Sequence, residues 1–298
     1  MSLSSRNELQ SLRDLIRYAV TRLNSADVAL GHGSDNAWDE AVYLVLHSLS
    51  LPLDTLDPFL DARVLSEERD SVLALIERRV SERLPAAYLT NEAWLQGHQF
   101  YVDKRVIVPR SPIAELLNDG LAPWVQSAEA VKHVLDLCTG SGCLAILAAL
   151  AFPFAQVYAV DISPDSLEVT HKNINAYGLQ ERVHAHQSNL FETLGARSYD
   201  VIICNPPYVN SNSMSLLPPE YRHEPELALA GGIDGMDLVQ DILTAAPDYL
   251  APEGILVLEI GHEYEHFVAA FPHLEPIWLQ TEQASDQILL LTREQLTT

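Results

Sequence analysis

The chain is short of positive charge. Its 298 residues carry 18 Lys and Arg against 41 Asp and Glu, a formal net charge of −23. The deficit is uneven: residues 1–110 hold 12 basic against 16 acidic side chains, and the remainder hold 6 against 25. Phosphate contacts dominate affinity for DNA and RNA, so an enzyme of nucleic acid is expected to carry a basic footprint. An acidic half instead attracts a cationic protein. The plainer alternative is acidity that serves only solubility or a salty habitat. Cysteine is scarce too, with Cys138, Cys143 and Cys204 alone. An odd count argues against a disulfide framework, the spacing matches no metal motif, and small thiols pack well as core filler. No apolar run approaches a membrane span, and residues 1–10 show no signal-peptide core. A reduced cytoplasmic protein with no membrane partner is expected.

The length allows two domains and a sizeable core. Apolar side chains recur at helical spacing over residues 5–24 (Leu9, Leu12, Ile16, Ala19, Leu23), 36–49 and 66–83, with Gly31-His32-Gly33 and Leu51-Pro52 as turns between them. Ser34-Asp35 is expected to cap the second helix, and Ser66, followed by Glu67 and Glu68, the third. This predicts a small helical domain over residues 1–86. Residues 87–112 read as a β-hairpin, alternating over 93–108 and turning near Gly97-His98, then a linker at 108–112. From 113 to 298 helices and strands alternate, as a parallel α/β sheet with right-handed crossovers requires. Strands at 255–260 and 287–291 are expected to complete it.

Two strand ends carry the chemistry. Residues 201–204 are short, β-branched-rich and followed by Asn205-Pro206-Pro207-Tyr208, so they read as a buried strand stopped by two prolines. The Asn205 side chain and a proline carbonyl make a cluster of acceptors with no competing N–H. Such a cluster holds an –NH2 group still, whether on a glutamine amide or on a nucleobase. The second strand end is Val134-Leu135-Asp136-Leu137-Cys138-Thr139-Gly140-Ser141-Gly142, an apolar strand, a glycine turn and a helix start over 144–150. The glycines permit φ > 0 and close approach of a ligand to backbone, and the helix offers its first N–H groups. The run 156–160 reads as a further strand ending in Asp161, placed to accept hydrogen bonds from ribose hydroxyls. The turn alone leaves a dinucleotide, S-adenosylmethionine or a mere packing turn open. G-x-G-x-x-G is matched poorly, and the Asn-Pro-Pro-Tyr end shifts the reading to S-adenosylmethionine.

Two other patterns invite chemistry. His262-Glu263-Tyr264-Glu265-His266 matches the zinc-protease signature H-E-x-x-H. It follows Gly261 directly after a strand instead of lying inside a long helix, so no metal is expected. Glu224, Glu226, Asp234 and Asp237 could supply an acid–base pair, but acid–base work usually asks for a perturbed carboxyl in a cleft. They read as loop and helix-start residues, with Asp237 opening a helix to Tyr249.

Together, the Asp136 to Gly142 stretch and Asn205-Pro206-Pro207-Tyr208 resemble the protein-glutamine methyltransferases of translation components. Residues 106–116, with Pro109-Arg110-Ser111-Pro112, are similar to the branch that modifies ribosomal protein L-three of the large subunit (the PrmB type). The sister branch, acting on peptide release factors, tends to an Arg-Pro-Asp-Thr-Glu pattern here. Residues 220–229 with Gly235 and Asp237, and the stretch 88–94, are similar to the same branch. The resemblance implies a Rossmann-like sheet binding S-adenosylmethionine, joined by the hairpin linker to a helical substrate-recognition domain. It implies methylation of a glutamine amide in L-three, free or in assembly intermediates, with release factors or adenine amines in nucleic acid as alternatives. A non-catalytic assembly factor is the other alternative. Asn205 Oδ1 and the Pro206 carbonyl would accept the two amide N–H groups. Pro207 and Tyr208 would line the same site, with Tyr208 against the amide plane or walling off the methyl, or serving packing alone. Asp136, Cys138, Thr139, Gly140, Ser141 and Gly142 would face the methionine part of the cofactor and Asp161 its ribose. Ser188-Asn189-Leu190-Phe191 resembles the adenine-contacting segment, with Asn189 where relatives often have Asp. Asn205 would border the cofactor as well. Cys138 stands where such enzymes often have glycine, so a negative φ is expected there.

Overall fold

The computed structural model describes residues 8–297, which divide into two compact units. The first runs to residue 93 and includes 218–223; the second takes 94–217 and 224 onward.

The first unit holds α1 (Leu12–Ser25), α2 (Ala37–Ser48), α3 (Ser66–Glu82) and the short α4 (Ala86–Thr90). Leu15, Ile16, Ala19 and Leu23 share one face of α1 and bury themselves against Ala41, Val45, Val72 and Ile76. The helix expected over 5–24 begins at Leu12; residues 1–7 lie outside the described ones. Its start is set by Ser11, whose hydroxyl accepts the Asp14 N–H at 3.2 Å while the Asp14 carboxylate accepts the Ser11 N–H at 3.0 Å. The cap of α2 is Asn36 and not Ser34-Asp35, because only Asn36 stands three residues before the Asp39 N–H it binds at 2.9 Å. At α3, Ser66 falls inside the first turn. Leu65 takes the cap position, and its N–H is bound by Glu68 Oε2 at 2.8 Å.

Helical periodicity did not reveal the charged cluster in this unit. Arg79 is fully buried, with Nε 2.8 Å from Glu40 Oε1, Nη1 3.3 Å from Glu220 Oε1 and Nη2 2.8 Å from the Ala29 carbonyl. Arg83 pairs with the same Glu220 carboxylate at 2.7 Å. Burial raises the Glu40 carboxyl above its ordinary pKa, against the pull of Arg79.

The hairpin is β1 (Glu92–Leu95) with β2 (His98–Tyr101), turning on Gln96 and Gly97 at φ of 50° and 75°. Two successive positive φ values make the turn type I′, whose twist matches that of the strands. Pairing stops sooner than expected. The Tyr101 N–H and carbonyl bind the Asn173 side-chain amide, at 2.8 and 3.0 Å, instead of a partner strand.

The second unit continues with α5 (Ile113–Asn118), β3 (His133–Leu137), α6 (Cys143–Ala151), β4 (Gln156–Asp161), α7 (Pro164–Ala176), β5 (Val183–Gln187), β6 (Tyr199–Cys204) and α8 (Ser211–Leu216). It ends with α9 (Asp237–Tyr249), β7 (Leu250–Glu259), α10 (Tyr264–Ala270), β8 (Ile277–Leu279), β9 (Ile288–Thr292) and α11 (Arg293–Thr297). The sheet order is β5-β4-β3-β6-β7-β9-β8. Val134, Val157, Val201 and Val257 point to one packed layer, and Leu135, Ile202, Leu256 and Leu258 to the other. Strands buried on both faces read as continuous apolar runs, which is why they were visible in the sequence.

The sheet is not wholly parallel. β9 runs antiparallel to both β7 and β8, because residues 280–287 are too few for a crossover helix. β7 begins earlier than expected: Leu250 pairs with Tyr199, residues 251–254 bulge, and Ile255 then pairs with Val201. The chain steps outward from β3 to β4 to β5, then returns to β6 on the opposite side of β3. That reversal opens a crevice at the carboxyl ends of β3 and β6, where open α/β sheets bind ligands.

Candidate functional site

A cleft of roughly 810 Å³ of atom-free space, open at its mouth, lies at this reversal. Cys138 and Gly140 after β3, Asp161 after β4, Asn189 and Leu190 after β5, and Asn205 and Pro207 after β6 all line it. One wall comes from Arg105, Val106 and Ile107, and another from Pro225, Leu227 and Ala228. Neither wall was read from the sequence as part of the site. Asp136, Thr139, Ser141, Gly142, Pro206 and Tyr208 are not among the residues that line it.

The turn after β3 is built by backbone geometry. The Thr139 N–H reaches the Val160 carbonyl at 2.9 Å, and the Gly140 N–H reaches Asp161 Oδ2 at 2.9 Å. Swinging these amides toward β4 puts Cys138 at φ +57°, in the left-handed region. The expected negative φ is thereby overturned, at a backbone cost of about 1–3 kcal/mol. Leu190, also in the lining, sits at φ +47°. Gly142 caps α6 at φ +80°, and a Cβ there would meet the Thr170 methyl at 2.8 Å. The Thr170 hydroxyl in turn donates to the Gly140 carbonyl at 2.7 Å, and Asn173 Nδ2 to the Ser141 carbonyl at 2.8 Å. Both fasteners come from α7, 30 and 32 residues away, and no local pattern announces them.

Asp136 lies beneath the turn. Its Oδ2 accepts the Thr139 hydroxyl at 2.5 Å, while its buried Oδ1 has no hydrogen-bond partner among the described residues. Burial pushes this carboxyl up to about 7. Asp161 shows the opposite economy of contacts: each of its oxygens takes one backbone N–H, from Gly140 and Ser163, both at 2.9 Å. Burial still raises its pKa. Each oxygen keeps a further lone pair, and the residue borders the cleft, so it fits a pair of ribose hydroxyls. A Cβ at Gly140 would meet nothing within 4 Å. The turn thus leaves open space where a ligand can touch backbone. These features fit S-adenosylmethionine.

Asn205 ends β6, opens to the cleft, and its side chain makes no hydrogen bond among the described residues. Tyr208 is held from the other side. Its hydroxyl donates to Glu259 Oε1 at 2.8 Å, and the Ser111 hydroxyl donates to Glu259 Oε2 at 2.5 Å. Burial and the Glu259 charge raise the Tyr208 phenol well above its ordinary pKa, and burial raises Glu259. Glu224 accepts the Val108 N–H at 2.9 Å and both Arg110 terminal nitrogens at 2.6 and 2.8 Å. Stretches read separately in the sequence, Pro109-Arg110-Ser111-Pro112, Asn205 to Tyr208 and the segment at Glu224, are therefore cross-linked through two buried carboxylates. Glu259, at the end of an apolar run, was not read as part of the site.

The metalloprotease pattern has no matching geometry. α10 starts at Tyr264, so His262 precedes it, and the Glu263 carboxylate is occupied by Asn210 Nδ2 at 2.7 Å and His266 Nδ1 at 2.5 Å.

The profile of the methyltransferase small domain matches residues 119–217. A protein of Bordetella pertussis named ribosomal protein uL3 glutamine methyltransferase is 72% identical over 298 residues, covering 100% of both chains. Proteins of the same name from Burkholderia pseudomallei and Neisseria gonorrhoeae are 57% and 55% identical. The first alignment covers 98% of each chain; the second covers 97% of this chain and 96% of the relative. With identity of this order along essentially its whole length, the chain belongs to the ribosomal protein uL3 glutamine methyltransferase family.

Proposed function

We propose that the protein methylates the side-chain amide nitrogen of a glutamine in ribosomal protein uL3, with S-adenosylmethionine as methyl donor. The observation that carries this reading is Asn205, whose side chain, an acceptor and donor with no hydrogen bond among the described residues, lines the same cleft as Asp161 and Gly140. When bound, the cofactor supplies a methyl carbon made electrophilic by its sulfonium charge.

The chain's own residues do the rest. Asp161 would accept the ribose hydroxyls, Gly140 would leave room for the methionine part, and Asn189 and Leu190 would border the adenine. Asn205 Oδ1 and the Pro206 carbonyl accept the two N–H groups of the glutamine amide. An amide nitrogen is a poor nucleophile, because its lone pair is delocalised into the carbonyl. Two acceptors polarise it and fix its direction of approach, and positioning of this kind is worth at best about 7–11 kcal/mol. The same acceptors stabilise positive charge developing on nitrogen. The prolines contribute no N–H to compete for them. Tyr208 supports this strap from behind.

The acidic second half of the chain suits a cationic ribosomal protein, met free or in an assembly intermediate in the cytoplasm. The test is transfer of labelled methyl from S-adenosylmethionine to separate acceptors. These are uL3 purified from cells lacking this gene, the large subunit from the same cells, a peptide release factor and ribosomal RNA. Mass spectrometry is expected to find one methyl on a glutamine amide of uL3. Label confined to release factor or RNA would reject the reading.

A further inference from the structure

We infer that Glu259 is a positioning residue for the amide-holding strap, acting through Tyr208 and Ser111. The inference rests on the glutamine-amide reading above. It starts from what the strap lacks. The Asn205 side chain has no hydrogen-bond partner among the described residues, and Pro206 and Pro207 have no N–H to donate. The proline rings fix φ at two of these residues, but no hydrogen bond within the strap sets the direction of the Asn205 side chain. That direction has to be imposed from the ends.

One end is β6, where Cys204 pairs with Leu258. The other is Tyr208, whose hydroxyl donates to Glu259 at 2.8 Å. Glu259 directly follows Leu258, so one strand of the sheet serves both ends of the strap. Its second oxygen takes the Ser111 hydroxyl at 2.5 Å, and the Ser111 oxygen accepts the Ile113 N–H at 3.3 Å. The carboxylate is thereby tied to the start of α5 as well.

Close packing removes the alternatives for Tyr208. A Cβ on Gly231 would lie 2.6 Å from its Cα, one on Gly235 2.2 Å from its carbonyl oxygen, and one on Gly261 2.3 Å from its ring. The ring and backbone are thus confined on three sides, the Val209 N–H and carbonyl bind the Leu229 carbonyl and the Gly231 N–H, both at 2.9 Å, and the hydroxyl's partner sets the tip of the ring. Core packing does not call for a carboxylate here. Leu258 and Ile260 on either side are fully buried hydrophobics, and a buried charge is costly unless its partners satisfy it. What Glu259 adds is direction, through two hydroxyls it holds at fixed places.

The experiment compares Glu259→Gln, Tyr208→Phe and the double variant with wild type, using unmodified uL3 and S-adenosylmethionine. Glutamine keeps the shape but can accept only one of the two hydroxyls as before. The expected result is a kcat lowered about 10-fold or more. KM for uL3 and affinity for S-adenosylhomocysteine should stay within about threefold, and the double variant should be no worse than the poorer single one. A lowered Tm with unchanged kcat, or losses that multiply in the double variant, would overturn the inference. A second readout needs no substrate: the side-chain amide resonance of Asn205, assigned by its loss in Asn205→Asp. It should shift or broaden in Glu259→Gln, and an unmoved resonance would overturn the inference. If wild type transfers nothing to uL3, the functional reading fails, and this resonance still decides on Glu259.

Discussion

Arg110 grips Glu224 with both terminal nitrogens, at 2.6 and 2.8 Å, and so joins the segment before α5 to the segment that walls the cleft. The Glu224 side chain is fully buried, whereas that of Arg110 is 27% exposed. Such a pair is costly to break from one side, because the carboxylate is left without its cation. Arg110→Ala is expected to destabilise the protein by about 3 kcal/mol or more. Arg110→Lys should recover only part of this, since an ammonium cannot reproduce the planar fork. Urea denaturation midpoints check both.

Asn205→Ala removes one of the two proposed amide acceptors and touches no internal hydrogen bond. Turnover is expected to fall about 10²- to 10³-fold, the scale for losing one group of an electrostatic cradle. Affinity for S-adenosylhomocysteine, measured by calorimetry, should change only a few-fold. Unchanged turnover would reject the assigned mechanism.

Asp161→Ala acts on the other half of the cleft. It leaves the Gly140 and Ser163 N–H groups without their acceptor and removes the proposed ribose partner. Calorimetry should show affinity for S-adenosylhomocysteine weakened about 10- to 100-fold, as expected for hydrogen bonds to a charged group.

The two glycines Gly235 and Gly97 both have positive φ, 85° and 75°, but only one is crowded. Gly97→Ala should cost about 1 kcal/mol of backbone strain, as nothing lies within 4 Å of a Cβ there. Gly235→Ala adds a clash with the Tyr208 carbonyl and should cost about 3 kcal/mol or more. The difference in urea midpoint between the two variants measures the crowding alone.

Asp136 gives the ligand-free protein a pH signature. Its carboxyl is pushed up to about 7 in the fold from an ordinary value of 3.8, so the folded state holds a proton that the unfolded chain releases. The sign follows by linkage: this stabilisation is complete below about pH 4 and is lost as pH rises through 7. Wild-type Tm should therefore fall between pH 5 and pH 8 by several degrees more than that of Asp136→Asn. Equal slopes in differential scanning fluorimetry would show that Asp136 is already ionised in the fold.

Much of the frame was legible because it is local. β4 and β6 are apolar runs bounded by turn formers, the hairpin carries a glycine at its turn, and the amphipathic face of α1 shows its period. Where contacts span long stretches of chain, local pattern is silent. Nothing near Glu40 announces Arg79 or Glu220, and nothing near Glu259 announces Tyr208 or Ser111. Cys138 misled for a different reason. Its side chain argues against a left-handed backbone, yet the amides of Thr139 and Gly140 have partners on β4 that are reached only by that turn. The antiparallel β9 was hidden because an apolar run carries no direction; only the short connection from β8 does.

The inclusion of residues 218–223 in the first unit has a practical consequence for dissecting the chain. That segment carries Glu220, held by Arg79 and Arg83. A catalytic fragment cut after residue 93 would still contain Glu220 but neither arginine, and would expose a carboxylate shaped for burial four residues before Glu224. The two units are therefore poor candidates for separate expression, domain swapping or fusion at that junction, even though the first unit's main stretch ends at a single place, residue 93.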